Sequence, residues 1–577
     1  MFFGGNYDNN KYKDYTYSEV QALDIKESGT FDIDISKGLY LGAGVAMVSD
    51  KDEDLVTVKG IFVSWGDLAG HLSVYGTTRV GKTRLMVSII RQCILRGMDI
   101  LVVEPKGAVG SKVDEDGNDA GVGQETLAWI MQFAEEAGRL RDIRYISPKF
   151  SDFSLRFNPL YGLTNEEIAS LVSTIIPAED EFFVAMGRQI TMAVLLGLDF
   201  LERIEGKEEI NRMINKEYNK VFSQGSNIIN DRLGLSDPDL AERIINPSSG
   251  MDLEIVQPPY RSLVTFADLS TYATQEGVTA ILQFVLKTSS DAYNTTNRKQ
   301  INDLEIMKTE AIKALTEMAN KDKQYFSKVA SSFNIVMQQM STGDLGKILC
   351  TVKINPLVDR FFSDRGQIIF IQPWPLIYKD ASKAFVRIFF SVITSYLGNI
   401  GASGRALQRE IALFVDEGGA VLYAGVEDLF NKAGGLGLRI FIFTQSFADY
   451  SSGLGEEVAA IVNDNTNIKV YMRMNDQGSR ELVAQSFGTI KKKVTKYMGS
   501  KLDMRVSSGV EDCDLLSPAH MGDMQKQEFL LQYGEGRFYC CAPFQPDPDL
   551  LISMPEIHME KAFVDFSKRY QPQVSED

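Results

Sequence analysis

One eight-residue segment constrains the fold of this chain more than any other feature of its sequence. It reads Gly76-Thr77-Thr78-Arg79-Val80-Gly81-Lys82-Thr83. A short apolar strand over 72–75 precedes it, and a helical pattern over 83–96 follows it. Glycines allow backbone N–H groups to wrap around phosphate oxygens, and a helix N-terminus adds favourable partial charge. The segment is therefore predicted to be a phosphate-binding Walker A loop within an α/β fold.

The residue types of this loop assign chemistry to single side chains. Lys82 is predicted to neutralise the β- and γ-phosphates, and the Thr83 hydroxyl is predicted to bind Mg²⁺. Arg84, which follows the octet, is included among the predicted nucleotide contacts. ATP and Mg²⁺ are therefore the expected cofactors. The alternative is a glycine turn with an incidental lysine, and the flanking strand and helix argue against it.

A nucleotide-hydrolysing loop also needs carboxylates. The apolar run 411–415 ends in Asp416-Glu417, which is the Walker B pattern. Asp416 is predicted to lie near Mg²⁺, and Glu417 is predicted to be the general base that activates the attacking water. The alternative is an ordinary acidic pair that starts a turn at Gly418-Gly419.

A further polar residue follows the next strand of the chain. The apolar run 438–443 continues into Thr444-Gln445-Ser446. A polar side chain at the end of a strand beside the Walker B strand is well placed to sense the γ-phosphate. Gln445 is therefore the predicted sensor, and a simple strand-end turn residue is the alternative.

Short apolar runs alternate with helical segments outside the middle of the chain. These runs cover 72–75, 100–103, 368–371, 411–415, 440–443 and 468–472. Apolar runs separated by helices predict a mostly parallel sheet that is covered on both faces. The segment 166–344 carries mainly helical patterns and is predicted to be an inserted all-α domain. The expected divisions are a β-rich region at 1–66, a discontinuous nucleotide-binding domain at 67–165 and 345–560, the insertion, and a tail at 561–577.

Composition and charge exclude several classes of protein. The chain has 577 residues, of which 44% are hydrophobic and 24% charged, and its net charge is −17. Such values argue against a mainly disordered protein and against one that coats nucleic acid with its whole surface. Three histidines, widely separated, argue against a multi-histidine metal site. Five cysteines without a CxxC pair fit a reducing compartment.

Targeting signals are not expected at the amino terminus. Its first residues lack the basic and apolar regions of a signal peptide. The longest uncharged run, 388–403, is judged too short and too polar to span a bilayer. The sequence therefore predicts a soluble protein, and the segment 106–123, rich in Gly and Asp, is predicted to be a surface loop.

Several motifs in fixed order resemble those of the TraD/TraG-type conjugative coupling proteins, in particular the type found in integrating conjugative elements. The resemblance covers about 67–550. Besides the octet and the stretch 524–543, its motifs are Glu104-Pro105-Lys106-Gly107, Arg156-Phe157-Asn158-Pro159-Leu160, Phe414-Val415-Asp416-Glu417-Gly418 and Phe443-Thr444-Gln445-Ser446.

The resemblance implies a RecA-like motor that is hexameric when active. Such a motor couples a relaxase-bound DNA strand to a type IV secretion channel, and Mg-ATP hydrolysis drives the single-stranded DNA through a central pore. The implied partners are the relaxosome, the channel ATPases and inner-membrane subunits of the secretion system. The implied location of the protein is the cytoplasmic face of the inner membrane. The all-α insertion would recognise the DNA-processing complex. Apart from the resemblance, the acidic composition and the lack of a visible membrane anchor predict that the free protein is monomeric and assembles only at the channel.

This chain departs from the pattern of the family in three ways. The amino-terminal transmembrane helices of the family are not visible, so a separate membrane subunit or a soluble variant is expected. The second-strand motif begins with Glu104 and ends with Ala108, where the family has aspartates. The arginine that would act in trans on a neighbouring subunit is replaced, and Lys432, Arg439 and Arg473 are candidate substitutes.

A single dense basic segment is the candidate for DNA contact. It contains Lys491, Lys492, Lys493 and Lys496, and Tyr497 could stack on a base. The alternative is a solvated flexible loop. Three other functions for the whole chain remain open: a coupling ATPase for protein effectors, a recruitment platform with weak hydrolysis, and a helicase, although no separate strand-separating domain is visible in the sequence. A chromosome-segregation translocase is a further relative, but the helical insertion argues against it.

Overall fold

The computed structural model describes residues 33–47, 58–105, 111–113, 119–122, 125–176, 181–204, 263–293, 295–361, 366–404, 407–423, 425–498 and 505–548. Its strands are β1 (Leu39–Ala46), β2 (Lys59–Val63), β3 (Leu72–Tyr75), β4 (Asp99–Val103), β5 (Ser111–Val113), β6 (Asp119–Val122), β7 (Ile143–Ile146), β8 (Ile368–Ile371), β9 (Ile411–Val415), β10 (Leu438–Thr444), β11 (Ile468–Tyr471), β12 (Thr489–Met498), β13 (Arg505–Asp514), β14 (Glu528–Tyr533) and β15 (Gly536–Cys541).

The helices divide into three groups along the chain. The first group precedes or belongs to the segment 166–344, which is called the helical middle below. Its helices are α1 (Lys82–Leu95), α2 (Glu125–Glu136), α3 (Asn165–Ile175), α4 (Glu181–Ile204), α5 (Phe266–Tyr272), α6 (Gln275–Lys287), α7 (Arg298–Ala319), α8 (Lys323–Ser341) and α9 (Gly343–Leu349). Those around β8 are α10 (Pro356–Phe361), α11 (Pro375–Tyr378) and α12 (Asp380–Ser403). The later ones are α13 (Gly418–Val421), α14 (Glu427–Lys432), α15 (Phe447–Leu454), α16 (Glu456–Asp464), α17 (Gln477–Phe487) and α18 (Pro518–Asp523).

One large sheet organises the described part of the chain. Its strand order is β2-β1-β15-β14-β11-β3-β10-β9-β4-β8-β7. The strands from β11 to β7 run parallel to their neighbours, and β14, β15, β1 and β2 extend the sheet in antiparallel pairs. The predicted mostly parallel sheet is therefore confirmed, and the strand runs read from the sequence match the observed strands to within two residues at either end.

Both faces of the parallel strands are buried, which explains why these strands read as continuous apolar runs. Along β4, Ile100 and Val102 join the core on one face, and Leu101 and Val103 join the core on the other. Helices α1 and α2 pack on the first face, and α12 with the helical middle packs on the second. Side chains alternate between faces along a strand, so an uninterrupted apolar run requires cover on both sides.

The helical middle is tied to the sheet through Asn158. This side chain is fully buried, and its amide donates hydrogen bonds to the carbonyl oxygens of Val264 (2.9 Å) and Lys353 (3.2 Å). The Asn158 backbone N–H donates to the carbonyl oxygen of Ile354 at 2.7 Å. One asparagine thus joins the segment that enters the helical middle to two segments further along it, which gives the Arg156–Leu160 motif a structural role.

Two described helices are long and apolar enough to cross a membrane by length and composition, Phe182–Ile204 and Asp380–Ser403. Their most apolar windows have mean hydropathies of 1.4 and 1.3 and are 56% and 61% buried within the protein. Burial of this kind is typical of core helices in globular proteins. The run 388–403, judged too short on its own, is the carboxyl-terminal part of the longer helix α12.

Some expectations change. The predicted surface loop at 106–123 contains a short antiparallel hairpin, β5 and β6, so that prediction is wrong in part. Strands β1 and β2, from the region predicted to be a separate β-rich lead-in, lie in the main sheet. The domain bounds remain predictions. Residues 106–108 of the second-strand motif and the tail at 561–577 lie outside the described residues.

Candidate nucleotide-binding site

The Walker A segment connects β3 to α1 and is held by the strands on both sides. The Gly76 N–H donates to the Thr444 carbonyl oxygen at 3.2 Å, at the end of β10. The Thr77 N–H donates to the Arg473 carbonyl oxygen at 2.8 Å, just after β11. Because β3 lies between β10 and β11, the loop starts at the carboxyl edge of the parallel strands, where ligands of open α/β sheets bind.

The backbone of the loop explains its glycines. Gly81 has φ +112°, in the left-handed region that disfavours other residues, and it immediately precedes α1. A Cβ on Gly76 would lie 2.8 Å from the Cβ of Met472, which is closer than real Cβ atoms approach. Arg79 also has a positive φ, of 62°. The first and last glycines of the octet are therefore required by the backbone, Gly76 by close contact and Gly81 by its left-handed conformation.

Lys82 lies at the first position of α1 and is buried, with 7% of its surface exposed. Its ammonium group donates to the carbonyl oxygens of Gly76 and Thr77, the second at 3.1 Å. The side chain thus folds back over the loop that precedes it. A cation in this position, together with the backbone N–H groups at the helix N-terminus, gives the loop the charge that phosphates require.

The two acidic residues of the Walker B pattern follow β9, which is buried throughout. Asp416 is 3% exposed, and its backbone N–H donates to the Val103 carbonyl oxygen at 3.0 Å, at the end of β4. Glu417 is half-buried and has φ 49°, a left-handed conformation that costs a non-glycine residue about 1 kcal/mol. Backbone strain of this kind is typical of functional sites.

Only β10 separates the Walker B strand from the Walker A strand. Thr444 is in register with Tyr75, and Ile442 is in register with Val415, so the three strand ends lie at one edge of the sheet. Gln445 follows β10 directly and is half-buried. The structure therefore places Gln445 between the Walker A loop and the Asp416-Glu417 pair along this edge, the neighbourhood that the sequence analysis expected.

A cluster of aromatic side chains lies behind the loop. The fully buried Tyr75 ring packs against Phe447 at 4.4 Å and stacks on Tyr471 at 5.7 Å between ring centroids. The Tyr75 hydroxyl donates to the Asn463 side-chain oxygen at 3.0 Å, and burial raises the pKa of this tyrosine. The cluster stabilises the strand end from which the loop starts, and the sequence motifs did not indicate it.

Arg84 is held in place by the carboxyl-terminal part of the described chain. Its guanidinium donates to the Gln545 carbonyl oxygen and, at 2.6 Å, to the Asp547 carboxylate. It also lies over the Trp129 ring, 5.9 Å from the centroid. Arg84 was predicted to contact nucleotide as part of the loop motif. Its two hydrogen-bond partners lie more than 460 positions away in sequence, and no local pattern reveals them.

The predicted magnesium ligands are Thr83, half-buried in the first turn of α1, and the buried Asp416. A hydroxyl and a carboxylate are oxygen donors of the kind that Mg²⁺ accepts when substrate phosphates and water complete its octahedron. The donor set therefore fits this ion, and the roles of the site residues remain predictions.

The three candidates for the trans-acting cation have different surroundings. Arg439 is 9% exposed and donates to the Gly434 carbonyl oxygen at 2.6 Å and to the Glu410 carboxylate at 2.5 Å. Lys432 is exposed and pairs with Asp428 at 2.7 Å. Arg473 is half-exposed and follows β11 at the edge where the Walker A loop starts. Burial and its two partners give Arg439 a structural function, which makes it a poor candidate.

Arg439→Ala is expected to lower the free energy of unfolding by about 2 kcal/mol, because it removes the charged donor of the buried Gly434 carbonyl and leaves Glu410 only its longer pair with Arg96, at 3.6 Å. Denaturant-induced unfolding measures this loss. Lys432→Ala, which removes an exposed pair, should change the same quantity by no more than about 0.5 kcal/mol. Equal, small effects of the two substitutions would contradict a structural role for Arg439.

The predicted DNA-contact segment forms strand β12 of an antiparallel hairpin with β13. This result disfavours the alternative of a flexible loop. Lys491, which is exposed, pairs in register with Asp512, and Lys492 pairs with Glu511. Further along the strand, Lys493 is opposite Val510 and Lys496 is opposite Ser507, with Tyr497 opposite Val506. The acidic residues thus lie opposite the first two lysines of the run.

Part of the chain matches a family of known proteins. The family model described as "TraM recognition site of TraD and TraG" matches residues 410–526. These residues include the Walker B strand, Gln445 and the β12–β13 hairpin. The resemblance to TraD/TraG-type proteins, recognised from motifs, is thereby confirmed over this segment. No curated protein matches the chain.

Solved structures extend the comparison to most of the chain. The unbound monoclinic form of the bacterial conjugative coupling protein TrwBdeltaN70 is 15% identical with a TM-score of 0.50, and the match covers 89% of this chain and 96% of that one. The plasmid coupling protein TrwB with ADP and Mg²⁺ is 14% identical with a TM-score of 0.51, over 89% and 97%. TrwB with the ATP analogue ADPNP is 15% identical with a TM-score of 0.50, over 91% and 98%. The predicted RecA-like α/β fold is confirmed.

Proposed function

We propose that this chain is an ATP-driven coupling protein that recruits relaxase-bound single-stranded DNA and pumps it into a type IV secretion channel during conjugation. One observation carries the proposal: the Walker A loop, the Asp416-Glu417 pair and Gln445 meet at one edge of the sheet. The family model that matches 410–526 is described as a TraM recognition site of TraD and TraG, and this description supports the DNA-transfer context. The matched segment also contains two of these three elements, the Asp416-Glu417 pair and Gln445.

The proposed chemistry is ATP hydrolysis. Lys82 would bind the β- and γ-phosphates beside the N–H groups of the loop, while Thr83 and Asp416 would hold Mg²⁺. The bound ion would neutralise charge that develops on the phosphates. Glu417 would accept the proton of the attacking water, and Gln445 would report the γ-phosphate to the neighbouring strand. TrwB, which shares this fold, was solved with ADP and Mg²⁺ and with an ATP analogue, in agreement with this assignment.

The proposed partners follow from the same family. A segment described as a TraM recognition site supports docking of the relaxosome, and the channel ATPases and inner-membrane subunits would receive the cargo. The active form would be a homohexamer in which Arg473 serves as the trans-acting cation, and the free chain would be monomeric. The protein would work at the cytoplasmic face of the inner membrane.

Single-stranded DNA is expected to stimulate ATP turnover of the purified protein severalfold, and the β12–β13 hairpin is expected to carry that response. Replacing Lys493 and Lys496 by Glu should remove most of the stimulation and flatten its salt dependence, because phosphate contacts release counterions. Turnover is measured with and without a single-stranded oligonucleotide, at two salt concentrations.

The control carries the same change of charge elsewhere, Lys37→Glu with Lys383→Glu, on two exposed lysines. It should keep the DNA response. Turnover that DNA does not affect would contradict the DNA pump and favour protein effectors as cargo. No turnover by the wild-type protein would favour a recruitment platform.

A further inference from the structure

A cavity of about 350 Å³ opens beside the Walker A loop and has no role in the chemistry described so far. It is lined by Arg84, Lys526, Gln527, Phe544 and Asp547. Arg84 belongs to the first turn of α1, and the other four residues come from the segments on either side of the β14–β15 hairpin. The cavity thus lies where the chain returns to the loop after the last strands of the sheet.

The cavity is fixed to the loop through Gln527. Its backbone N–H donates to the Val80 carbonyl oxygen at 2.9 Å, and its own carbonyl accepts from the Ala542 N–H at 2.9 Å. A Cβ on Gly81 would lie 3.4 Å from the Gln527 side chain. Gln527 also has φ 72°, a left-handed conformation that costs a non-glycine residue about 1 kcal/mol. The surrounding backbone therefore holds this residue against the loop.

The opposite wall is held as firmly. The Arg84 guanidinium donates to the Gln545 carbonyl oxygen and pairs with Asp547 at 2.6 Å, and the Trp129 indole donates to the Pro546 carbonyl oxygen at 2.8 Å. Between these anchored residues, the Phe544 side chain is 73% exposed. Few large apolar side chains of the described residues are as exposed, and this one lies at a rim whose backbone is fixed on both sides.

We propose that this cavity binds the nucleoside part of ATP, with Phe544 stacking on the base. The inference rests on the proposed ATPase and deepens it. A base offers a flat π-face to an aromatic ring, and the ring tolerates any base because stacking does not read hydrogen-bond patterns. The Gln527 amide and the Asp547 carboxylate supply polar groups for base edges and ribose hydroxyls. The phosphates would then lie in the Walker A loop, which Gln527 contacts.

The test separates base binding from phosphate binding. Dissociation constants for Mg-ATP and for Mg-tripolyphosphate, which has no nucleoside, are measured by calorimetry with the full chain. Phe544→Ala should weaken Mg-ATP binding about tenfold, the change expected when one stacking contact is lost. Tripolyphosphate binding should stay unchanged. Phe544→Tyr, which keeps the ring, should retain the affinity for Mg-ATP.

Leu376→Ala is the matched control, because it removes another exposed apolar side chain, 95% exposed, from a different place in the fold. It should leave both affinities unchanged. Unchanged Mg-ATP binding by Phe544→Ala would overturn the inference alone, as would a loss of affinity for single-stranded DNA in place of ATP. Equal weakening of both ligands would also overturn it, because the loop itself would then be disturbed. A wild-type chain that binds neither ligand would overturn the proposed ATPase together with this inference.

Discussion

Lys82→Ala is expected to lower ATP turnover by about 100- to 1,000-fold, the range seen when one charged or hydrogen-bonding donor is removed from a developing anion. The wild-type ammonium is buried at the first position of α1 and bonded to the carbonyl oxygens of Gly76 and Thr77. Alanine removes the only side-chain cation that the octet places at this helix start and leaves the helix N-terminus in place. Binding of ATP should weaken about tenfold or more, as expected when a hydrogen bond to a charged group is lost.

The measurement is steady-state phosphate release with saturating Mg-ATP. Lys383→Ala, which removes an exposed lysine from α12, serves as the control and should match the wild type. The loop should remain folded in the variant, because the Gly76 and Thr77 N–H groups keep their bonds to Thr444 and Arg473. Circular dichroism should confirm this. Wild-type turnover by Lys82→Ala would contradict the assignment of the loop as a nucleotide site.

The parallel strands could be predicted from sequence because burial on both faces leaves a continuous apolar run. The run 411–415 coincides with β9, and 368–371 with β8. The order of the strands could not be read in this way. Neighbours such as β3 and β10 are separated by more than 350 residues, and their pairing depends on packing across the whole domain.

The candidate site divides along the same line. Asp416, Glu417 and Gln445 directly follow strands, and Lys82 ends the loop that follows β3. Strands that run parallel bring their carboxyl ends to one edge, so local motifs predict the neighbourhood of these residues. The partners of Arg84 and the wall formed by Phe544 come from the carboxyl-terminal segment. A lone exposed phenylalanine carries no periodic signal, and sequence alone gave it no role.

Arg439 shows what contacts add to a prediction from motifs. As a cation near the sensor strand it was a reasonable candidate to act on a neighbouring subunit. The structure pairs this β10 residue with Glu410, which directly precedes β9, and with the Gly434 carbonyl oxygen in the turn before β10. A cation that a motif places near a site can thus serve to stabilise the fold. Only its contacts distinguish such a structural cation from one that is available to a neighbouring subunit.

Glu417→Gln is expected to lower turnover by about 100- to 10,000-fold, the usual contribution of a general base. The amide keeps the size of the side chain and its capacity for hydrogen bonding, but it does not accept the proton of the attacking water. Lys82, Thr83 and Asp416 stay in place, so Mg-ATP should bind with wild-type affinity. The variant should therefore accumulate bound, unhydrolysed ATP.

The two losses of activity are distinguished by what the protein holds after mixing. Glu417→Gln should retain ATP through rapid gel filtration, whereas Lys82→Ala should release it. Glu427→Gln, a change of the same kind at the first position of α14, is the control and should turn over like the wild type. The substitution should not disturb folding, because glutamine tolerates the left-handed backbone at this position (φ 49°) about as well as glutamate does. Turnover within about threefold of the wild type would contradict the role of Glu417 as general base and would assign that role to another carboxylate at this edge of the sheet. Glu104, whose side chain accepts a hydrogen bond from the Thr126 hydroxyl at 2.8 Å, would be the first to test.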